Sequence, residues 1–360
     1  MKKKFNRQIV FSKTPLKTAF RHEDFLQIYP CDFPNAPKSS RCDDIPLVIE
    51  YWYDEDAKPS VPKEFEGLKI VSEGTTQINR LKRITNILSA LTNHRIFSYP
   101  ATSTKWGFIL PEPEELEKDE VKKEIDNSSS KVVITMYHYP NDYDDKKIDA
   151  FITPKYDGTK TIRHQDYYME DPIESRDKNI TLPNTLNQAL DRYLKLDDAA
   201  RKVVDTVAHL ICNGIDLERE MKSLSFLSYV SSIETLLNFE YRDKNKEIEF
   251  ECHDCQTIKK SPFHCHKCGR PIWGISAKFK MFLQTYVSQG EESKKKYKRI
   301  YNLRSNIVHS GVLLLGDEEL NWGKSEKVDS EWMTHLETKQ LARLSLANWL
   351  LMGPGKQPPA

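Results

Sequence analysis

The spacing of hydrophobic residues divides the chain into a region of short strands and a region of helical periodicity, with the change near residue 175. Before that point, runs rich in β-branched and aromatic residues are bounded by Pro, Asp and Gly, which is typical of strands. A helix is predicted over Thr76–Leu91, since its apolar residues recur at steps of three and four. The predicted strands are Leu47–Tyr53, Gly67–Ser72, His94–Tyr99, Trp106–Leu110, Lys131–Tyr139 and Ile148–Thr153. These elements predict a mixed strand and helix domain over residues 1–175.

After Pro172 the apolar residues recur at helical intervals. Gly214 is placed to end one of the helices, and Glu234 lies among apolar residues in the next. The predicted helices are Asn184–Leu194, Ala199–Asn213, Leu217–Phe239, Ser276–Val287, Glu292–Ser310 and about Glu331–Met352. We therefore expect an all-α bundle over residues 176–353, interrupted by a cysteine-rich insert at 242–274. The fold class of the whole chain is predicted to be α+β.

Composition and charge exclude several classes of protein. Apolar residues make up 38% of the chain, with 15 Phe, 16 Tyr and 6 Trp, so wholesale disorder is excluded. The net charge of +1 indicates no polyanionic partner by itself. No run of about 18 apolar residues is present, and the start of the chain lacks the apolar segment of a signal peptide, so we expect a cytoplasmic protein without membrane association. Residues 111–130, with eight acids and three lysines, are typical of a solvated loop.

Four cysteines form two CxxC pairs within the insert. Cys252 and Cys255 make the first pair, and Cys265 and Cys268 make the second after nine intervening residues. Two such pairs complete the tetrahedral thiolate shell of a structural zinc site, with Thr257–Phe263 between them as a short ribbon tip. A saturated shell has no position for substrate, so the Zn²⁺ is expected to be structural, and no metal is expected in catalysis. A redox or iron–sulfur role, or no metal, are the alternatives.

The insert belongs to a basic stretch. Residues 242–304 hold 15 Lys and Arg against 7 Asp and Glu, which could attract a polyanion. The densest run, KKKYKR at 294–299, is also explained as the solvated face of an amphipathic helix.

The helix predicted at Glu292–Ser310 carries an arginine where a core residue belongs. Arg304 falls on the apolar stripe of Tyr297 and Val308, and a cation there needs a partner, a cleft or an interface. His309 lies in the last turn before Gly311, where the negative end of the helix dipole favours its protonated form. A histidine can move the proton of a ribose 2′-OH while a guanidinium stabilises charge on the phosphoryl oxygens. On spacing alone, a purely structural role is the better explanation of this pair, since an arginine and a histidine five residues apart occur by chance in many helices.

The sequence around this pair resembles a known signature. Residues 301–311, YNLRSNIVHSG, resemble the R-x4-6-H motif of the HEPN superfamily of ribonucleases, in the form of Apea-like HEPN proteins. Residues 226–238, FLSYVSSIETLLN, resemble the earlier core helix of that family, in which an acidic residue interrupts an apolar run. The resemblance covers about 215–352, and the cysteine-rich insert between the two helices departs from the family pattern.

The resemblance implies a homodimer or higher homo-oligomer with one composite, metal-independent endoribonuclease site that cleaves RNA by attack of the 2′-OH. Arg304 and His309 would be the catalytic pair, and Asn306 would orient the phosphate or the imidazole. Glu234 would hold Arg304 across the bundle, or serve only as a packing carboxylate. Such proteins act as anti-phage abortive-infection or toxin effectors, so residues 1–175 are expected to be a sensor or regulatory domain. A phage-derived protein or an antitoxin protein would then be the regulator.

A non-catalytic function is the alternative. In it, the helical bundle serves dimerisation, and the zinc ribbon contacts RNA or protein. An intact Arg304 and His309 pair argues against this interpretation, because a scaffold needs neither.

Overall fold

The computed structural model divides the chain into two compact units. The first unit comprises Met1–Tyr167 and Pro172–Asn184, and the second comprises Tyr168–Asp171 and Thr185–Ala360. The residues it describes are 4–31, 44–53, 69–98, 105–109, 118–119, 135–138, 146–170, 174–175, 177–242, 247–251, 258–262, 267, 274–318 and 326–354. A sheet near the N-terminus is followed by helices, which confirms the α+β class. Within these residues, no helix is both long and apolar enough to cross a membrane.

The first unit is built on a six-stranded antiparallel sheet. Its strand order is β2-β3-β4-β1-β5, and β8 also pairs with β1. Two further pairs are antiparallel β6 with β7 and parallel β9 with β10. The strands are β1 (Lys4–Ser12), β2 (Phe20–His22), β3 (Leu26–Pro30), β4 (Ile45–Tyr53), β5 (Ile96–Phe97), β6 (Lys105–Ile109), β7 (Thr135–His138), β8 (Lys146–Ile148), β9 (Thr161–Ile162) and β10 (Leu182–Pro183).

A buried carboxylate joins three strands of this sheet. Glu50 of β4 is completely buried and lies opposite Arg7 of β1 and Gln27 of β3. Arg7 Nε lies 2.7 Å from Glu50 Oε1, which also accepts from the Tyr29 hydroxyl at 3.0 Å. Glu50 Oε2 accepts from Gln27 Nε2 at 2.6 Å and from the Ile152 backbone N–H at 3.1 Å. The charge is therefore fully surrounded by donors, as a buried carboxylate requires.

Several strand predictions need correction. The predicted strand over Gly67–Ser72 is wrong, because helix α1 (Lys69–Leu91) includes most of these residues. The helical periodicity of the residues that follow outweighs the local β propensity of this segment. The prediction at Ile148–Thr153 is also wrong in extent, since β8 ends at Ile148. Strand β1 lies at the centre of the sheet and was missed, because polar residues interrupt its apolar pattern. Most of the acidic segment 111–130 lies outside the described residues.

The second unit is helical, and its elements follow the predicted order. Helix α2 (His164–Met169) lies where the two units divide. The others are α3 (Leu186–Leu194), α4 (Asp198–Leu217), α5 (Lys222–Glu240), α6 (Ile275–Tyr286), α7 (Glu291–Ser310), α8 (Leu315–Glu318) and α9 (Glu326–Met352). Strands β11 (Glu247–Glu251) and β12 (Ile258–Pro262) form an antiparallel hairpin between α5 and α6. The expected helix over Leu217–Phe239 is two elements, since α4 ends at Leu217 and α5 begins at Lys222.

Gly214 does not end its helix, contrary to prediction. Helix α4 continues past it to Leu217. A Cβ at Gly214 would overlap the ring of Tyr229, which is completely buried on α5. The glycine is therefore explained by the close approach of two helices rather than by a helix end.

The core of the second unit forms around α5. Its largely apolar face is completely buried, and it contributes Phe226, Tyr229, Val230, Ile233, Leu236 and Leu237. Polar contacts join this core to α9: His335 Nε2 lies 2.9 Å from Ser225 Oγ, and Trp349 Nε1 donates to Glu240 Oε2 at 3.1 Å. Helices α5 and α7 are therefore carried by a packed bundle, which fixes the side chains that they present.

Candidate functional site

Arg304 and Glu234 meet where α7 and α5 lie side by side. Arg304 Nε is 3.3 Å from Glu234 Oε1, and Arg304 Nη2 donates to Glu234 Oε2 at 3.4 Å. The exposed fractions of these side chains are 23% and 14%. Arg304 follows the buried Tyr297, Ile300 and Tyr301 along one stripe of α7, so it lies where that stripe reaches the surface. The cation on the apolar stripe therefore has a partner and an opening to solvent.

Burial and the ion pair act on Glu234 in opposite directions. Burial raises the pKa of the Glu234 carboxyl, and the Arg304 guanidinium lowers it by less, so the pKa lies above its usual value. The guanidinium carbon of Arg304 lies 5.9 Å from the centre of the Tyr301 ring. Burial, and then Glu234, raise the pKa of Tyr301, so its hydroxyl stays neutral at physiological pH. The site therefore holds one guanidinium between a carboxylate and an aromatic ring.

His309 lies apart from this pair on the same helix. It is exposed in the last turn of α7, and Gly311 ends the helix in the left-handed conformation with φ of 65°, as predicted. Five residues along an α-helix correspond to a rotation of about 140°. Arg304 and His309 therefore point to different sides of α7 within one chain. Asn306 has an exposed side chain, and its carbonyl oxygen accepts from the backbone N–H of Gly311.

Exposed apolar side chains lie at the start of α5, in the last turn of α7 and in the segment that follows α7. Their exposed fractions are between 42% and 50%. We call them the apolar rim; its members are Met221, Leu224, Val308, Val312 and Leu313. The backbone N–H of Leu314 donates to Ser223 Oγ at 2.8 Å, which brings the segment after α7 onto the first turn of α5. Exposed apolar residues that cluster in this way are typical of an interaction surface.

The segment after α7 is held by a carboxylate that sequence analysis missed. Asp317 Oδ1 accepts from the backbone N–H of Lys222 at 2.6 Å, and Asp317 Oδ2 accepts from that of Ser223 at 2.7 Å. Asp317 and Lys222 are 95 residues apart, and no local pattern connects them. One local feature hints at Asp317. Met221, which precedes α5, makes no side-chain cap bond, so the acceptors for the first N–H groups of α5 must come from another part of the chain.

The basic run at 294–299 is largely neutralised within the chain. Lys294 and Lys295 pair with Glu291 and Glu292, one turn earlier on α7. Two further cations, Lys296 and Arg299, both pair with Glu337 of α9. These ion pairs favour the interpretation of this run as the solvated face of α7.

The four cysteines of the insert lie outside the described residues, and the described strand β12 separates the two pairs along the chain. Glu251 pairs with Ile258, so the first CxxC pair belongs to the connection at that end; the second follows Pro262 at the other end. Ile258–Pro262 is a strand and not a ribbon tip, because it pairs along its whole length with β11.

Among the residues that the structure describes, no three His, Cys, Asp or Glu side chains form a group that could hold a metal. Elsewhere in the second unit, Cys212 is buried on α4, and His209 is half-buried beside Asn213.

Comparison with known proteins does not identify this chain: no family model matches it, and no curated protein or solved structure is significantly similar to it.

Proposed function

We propose that the second unit is a HEPN-type, metal-independent endoribonuclease that acts as a dimer. Arg304 is the observation that carries the proposal, because it lies at the surface end of an apolar stripe with its guanidinium paired to Glu234. A half-buried arginine with a fixed orientation is suited to a phosphate, since a guanidinium can donate two parallel hydrogen bonds. The resemblance of residues 301–311 to the R-x4-6-H motif supplies the reaction class.

The separation of Arg304 and His309 around α7 supports a site made by two copies of the chain. Within one chain, about 140° of helix rotation separates them, so one phosphate cannot easily reach both. If two copies pair through the apolar rim, Arg304 of one copy can face His309 of the other. Exposed apolar residues beside α7 favour such a self-complementary interface.

The chemistry follows from the two side chains. A ribose 2′-oxygen attacks the adjacent phosphorus while the bond from phosphorus to the 5′-oxygen breaks. His309 takes the 2′-OH proton or gives a proton to the leaving 5′-oxygen, and Arg304 stabilises the negative charge on the phosphoryl oxygens. The exposed Asn306 is placed to orient the phosphate or the imidazole. The products are a 2′,3′-cyclic phosphate and a 5′-OH.

The remaining parts of the chain receive supporting roles. Zinc bound by the four cysteines of the insert would stabilise the ribbon and take no part in the reaction. The first unit would recognise the trigger or restrain the nuclease, with a phage-derived or antitoxin protein as its partner. The biological role that fits these parts is an anti-phage abortive-infection or toxin effector.

The test is to incubate the purified protein with total RNA in EDTA and to map the ends of the fragments. We expect cyclic-phosphate ends with the wild type and no cleavage with His309→Ala. His164→Ala, which removes an imidazole from the first unit, serves as the matched control and should cleave normally. Fragments with 3′-OH ends, or rapid loss of cleavage in EDTA, would contradict the proposal.

A non-catalytic binding module is the second candidate, and the apolar rim favours it as much as it favours the nuclease. In that case Arg304→Ala and His309→Ala would leave cellular toxicity unchanged, whereas Cys265→Ser would abolish function.

A further inference from the structure

The end of α7 is joined to the start of α5 by a set of hydrogen bonds. After His309 and the cap at Gly311, the buried Leu314 donates its backbone N–H to Ser223 Oγ. Three residues later, both carboxylate oxygens of Asp317 accept backbone N–H groups from the first turn of α5. The next residue after Leu314 is also held, since the Leu315 N–H donates to Glu331 Oε2 at 2.9 Å. Residues 311–318, which follow α7, are therefore attached at three points.

Asp317 performs a task that α5 cannot perform for itself. The first backbone N–H groups of a helix have no partner within the helix, and an acidic side chain there is stabilised by the helix dipole. Met221 precedes α5 and makes no side-chain cap bond, so Asp317 supplies two of the missing acceptors from a distant part of the chain. The Asp317 carboxylate thus caps α5 and also fixes the segment that follows α7.

We propose that Asp317 is a positioning residue that fixes the last turn of α7, and with it His309, relative to the α5 helix that carries Glu234. Its effect on cleavage rests on the proposed ribonuclease function. Asp317 itself touches backbone N–H groups and acts on the reaction through the placement of His309. We call the hydrogen bonds of Asp317 to the first turn of α5 the Asp317 clamp. Because a displacement of about 1 Å at a reacting group can lower a rate about 100-fold, loss of the Asp317 clamp is expected to affect kcat more than substrate binding.

Hydrogen exchange on the full chain tests the clamp without reference to activity. Asp317→Ala should increase the exchange rate at Lys222 and Ser223, and also across 308–315, by about tenfold or more. Asp317→Asn keeps one carbonyl acceptor and should show a smaller increase. Asp197→Ala is the matched control, because Asp197 caps α4 by accepting from the Ala200 N–H at 2.7 Å; it should affect only the start of α4. Unchanged exchange across 308–315 in Asp317→Ala would overturn the proposal.

RNA cleavage then tests the consequence for the reaction. We expect Asp317→Ala to lower kcat by about 10- to 100-fold with little change in KM, and Asp317→Asn to recover part of the loss. A normal rate in Asp317→Ala, or a loss that appears in KM and not in kcat, would contradict a positioning role. A wild type that cleaves no RNA would refute the proposed function, while hydrogen exchange would still decide the clamp.

Discussion

Arg304 and Glu234, 70 residues apart in sequence, form a two-point contact with Nε and Nη2 of the arginine 3.3 and 3.4 Å from the two carboxylate oxygens. The contact is longer than a strong charge-assisted hydrogen bond, for which about 2.7–2.9 Å is usual. The arginine is therefore held in orientation without being fully engaged. This leaves guanidinium N–H groups able to bind a phosphate.

Replacing Glu234 by Gln should show whether Glu234 orients Arg304 for cleavage or contributes mainly to the stability of the fold. We expect RNA cleavage to fall about tenfold, because the amide offers one acceptor in place of two. The free energy of unfolding at pH 7 should change by less than about 1 kcal/mol, since the loss of the ion pair is offset by removal of a partly buried charge. Because the pKa of Glu234 is raised in the folded state, its ionisation lowers stability as pH rises through that pKa, and the Gln variant should lack this dependence.

Glu337→Gln is the control for this variant. Glu337 of α9 pairs with Lys296 and Arg299 of α7, and neither of these cations belongs to the Arg304–Glu234 pair. Its cleavage rate should match that of the wild type. If Glu234→Gln also cleaves normally, then Glu234 is only a packing carboxylate.

Mixing two inactive variants tests whether the site is shared between copies. Arg304→Ala and His309→Ala should each be inactive alone. Two-fold symmetry gives the composite site two pairings of Arg304 with His309, and in a mixed dimer one of these pairings would combine an intact arginine with an intact histidine. Random pairing makes half of the dimers mixed, so about a quarter of the wild-type activity should return. Activity that stays absent in a mixture shown by mass spectrometry to contain mixed dimers would place both residues of one site in the same chain.

The buried His335 predicts a loss of stability in mild acid. Burial is the main cause that lowers the pKa of His335 to about 4; smaller effects of Glu218 and Asp317 raise it, and those of Lys339 and Lys222 lower it. Below its ordinary pKa of 6.5 the unfolded chain takes up a proton that the folded chain takes up only near pH 4. The stability of the second unit should therefore fall by up to about 3 kcal/mol between pH 6.5 and 4.

This dependence can be measured by urea unfolding at several pH values. His335→Gln should make the free energy of unfolding less dependent on pH between 6.5 and 4, because glutamine does not titrate there and can still form a hydrogen bond with Ser225. A curve with the same slope in both proteins would show that other groups cause the acid sensitivity.

Gly214 predicts a strong effect of a single methyl group. Gly214→Ala should lower the free energy of unfolding by about 1–3 kcal/mol, because its Cβ would overlap the ring of the buried Tyr229. Thermal or urea unfolding measures the change. In combination with Tyr229→Leu the cost of Gly214→Ala should be smaller, since the ring is gone.

Gly274→Ala is the matched control, since a Cβ at Gly274 meets nothing within 4 Å. A loss of about 0.5 kcal/mol is expected there, from a weaker cap at the start of α6. Equal losses in the two alanine variants would contradict the close approach of α4 and α5.

The cysteine-rich insert predicts one zinc ion per chain. Elemental analysis of the purified protein should find about one equivalent, and Cys265→Ser should lose most of it, because three thiolates leave the tetrahedral shell incomplete. Cys31→Ser, which changes a half-buried cysteine in the first unit, should keep full metal content. Absence of zinc from the wild type, or full retention in Cys265→Ser, would contradict a site made of four cysteines.

Local patterns predicted the second unit better than the first. The cap at Gly311 and the partly exposed Arg304 could be read from spacing within one helix, because a helix places neighbours three and four residues apart. Central strand β1 could not be read in this way, since Asn6, Arg7 and Gln8 interrupt its apolar pattern and their partners lie on other strands. The contacts of Asp317 could not be predicted from the sequence for the same reason. Their partners are more than 90 residues away, and they are backbone N–H groups, which no side-chain pattern marks.

The buried Glu50 has a consequence for how the sheet of the first unit assembles. A shift of β4 by one residue would turn Glu50 to the opposite face of the sheet, away from Arg7, Gln27 and Tyr29. An ionised carboxylate without donors would then be buried, at a cost of several kcal/mol. Apolar residues such as Val48 and Ile49 tolerate either face, so they do not distinguish between alignments. Glu50 thus makes misaligned pairings unfavourable and selects one alignment of three strands during folding.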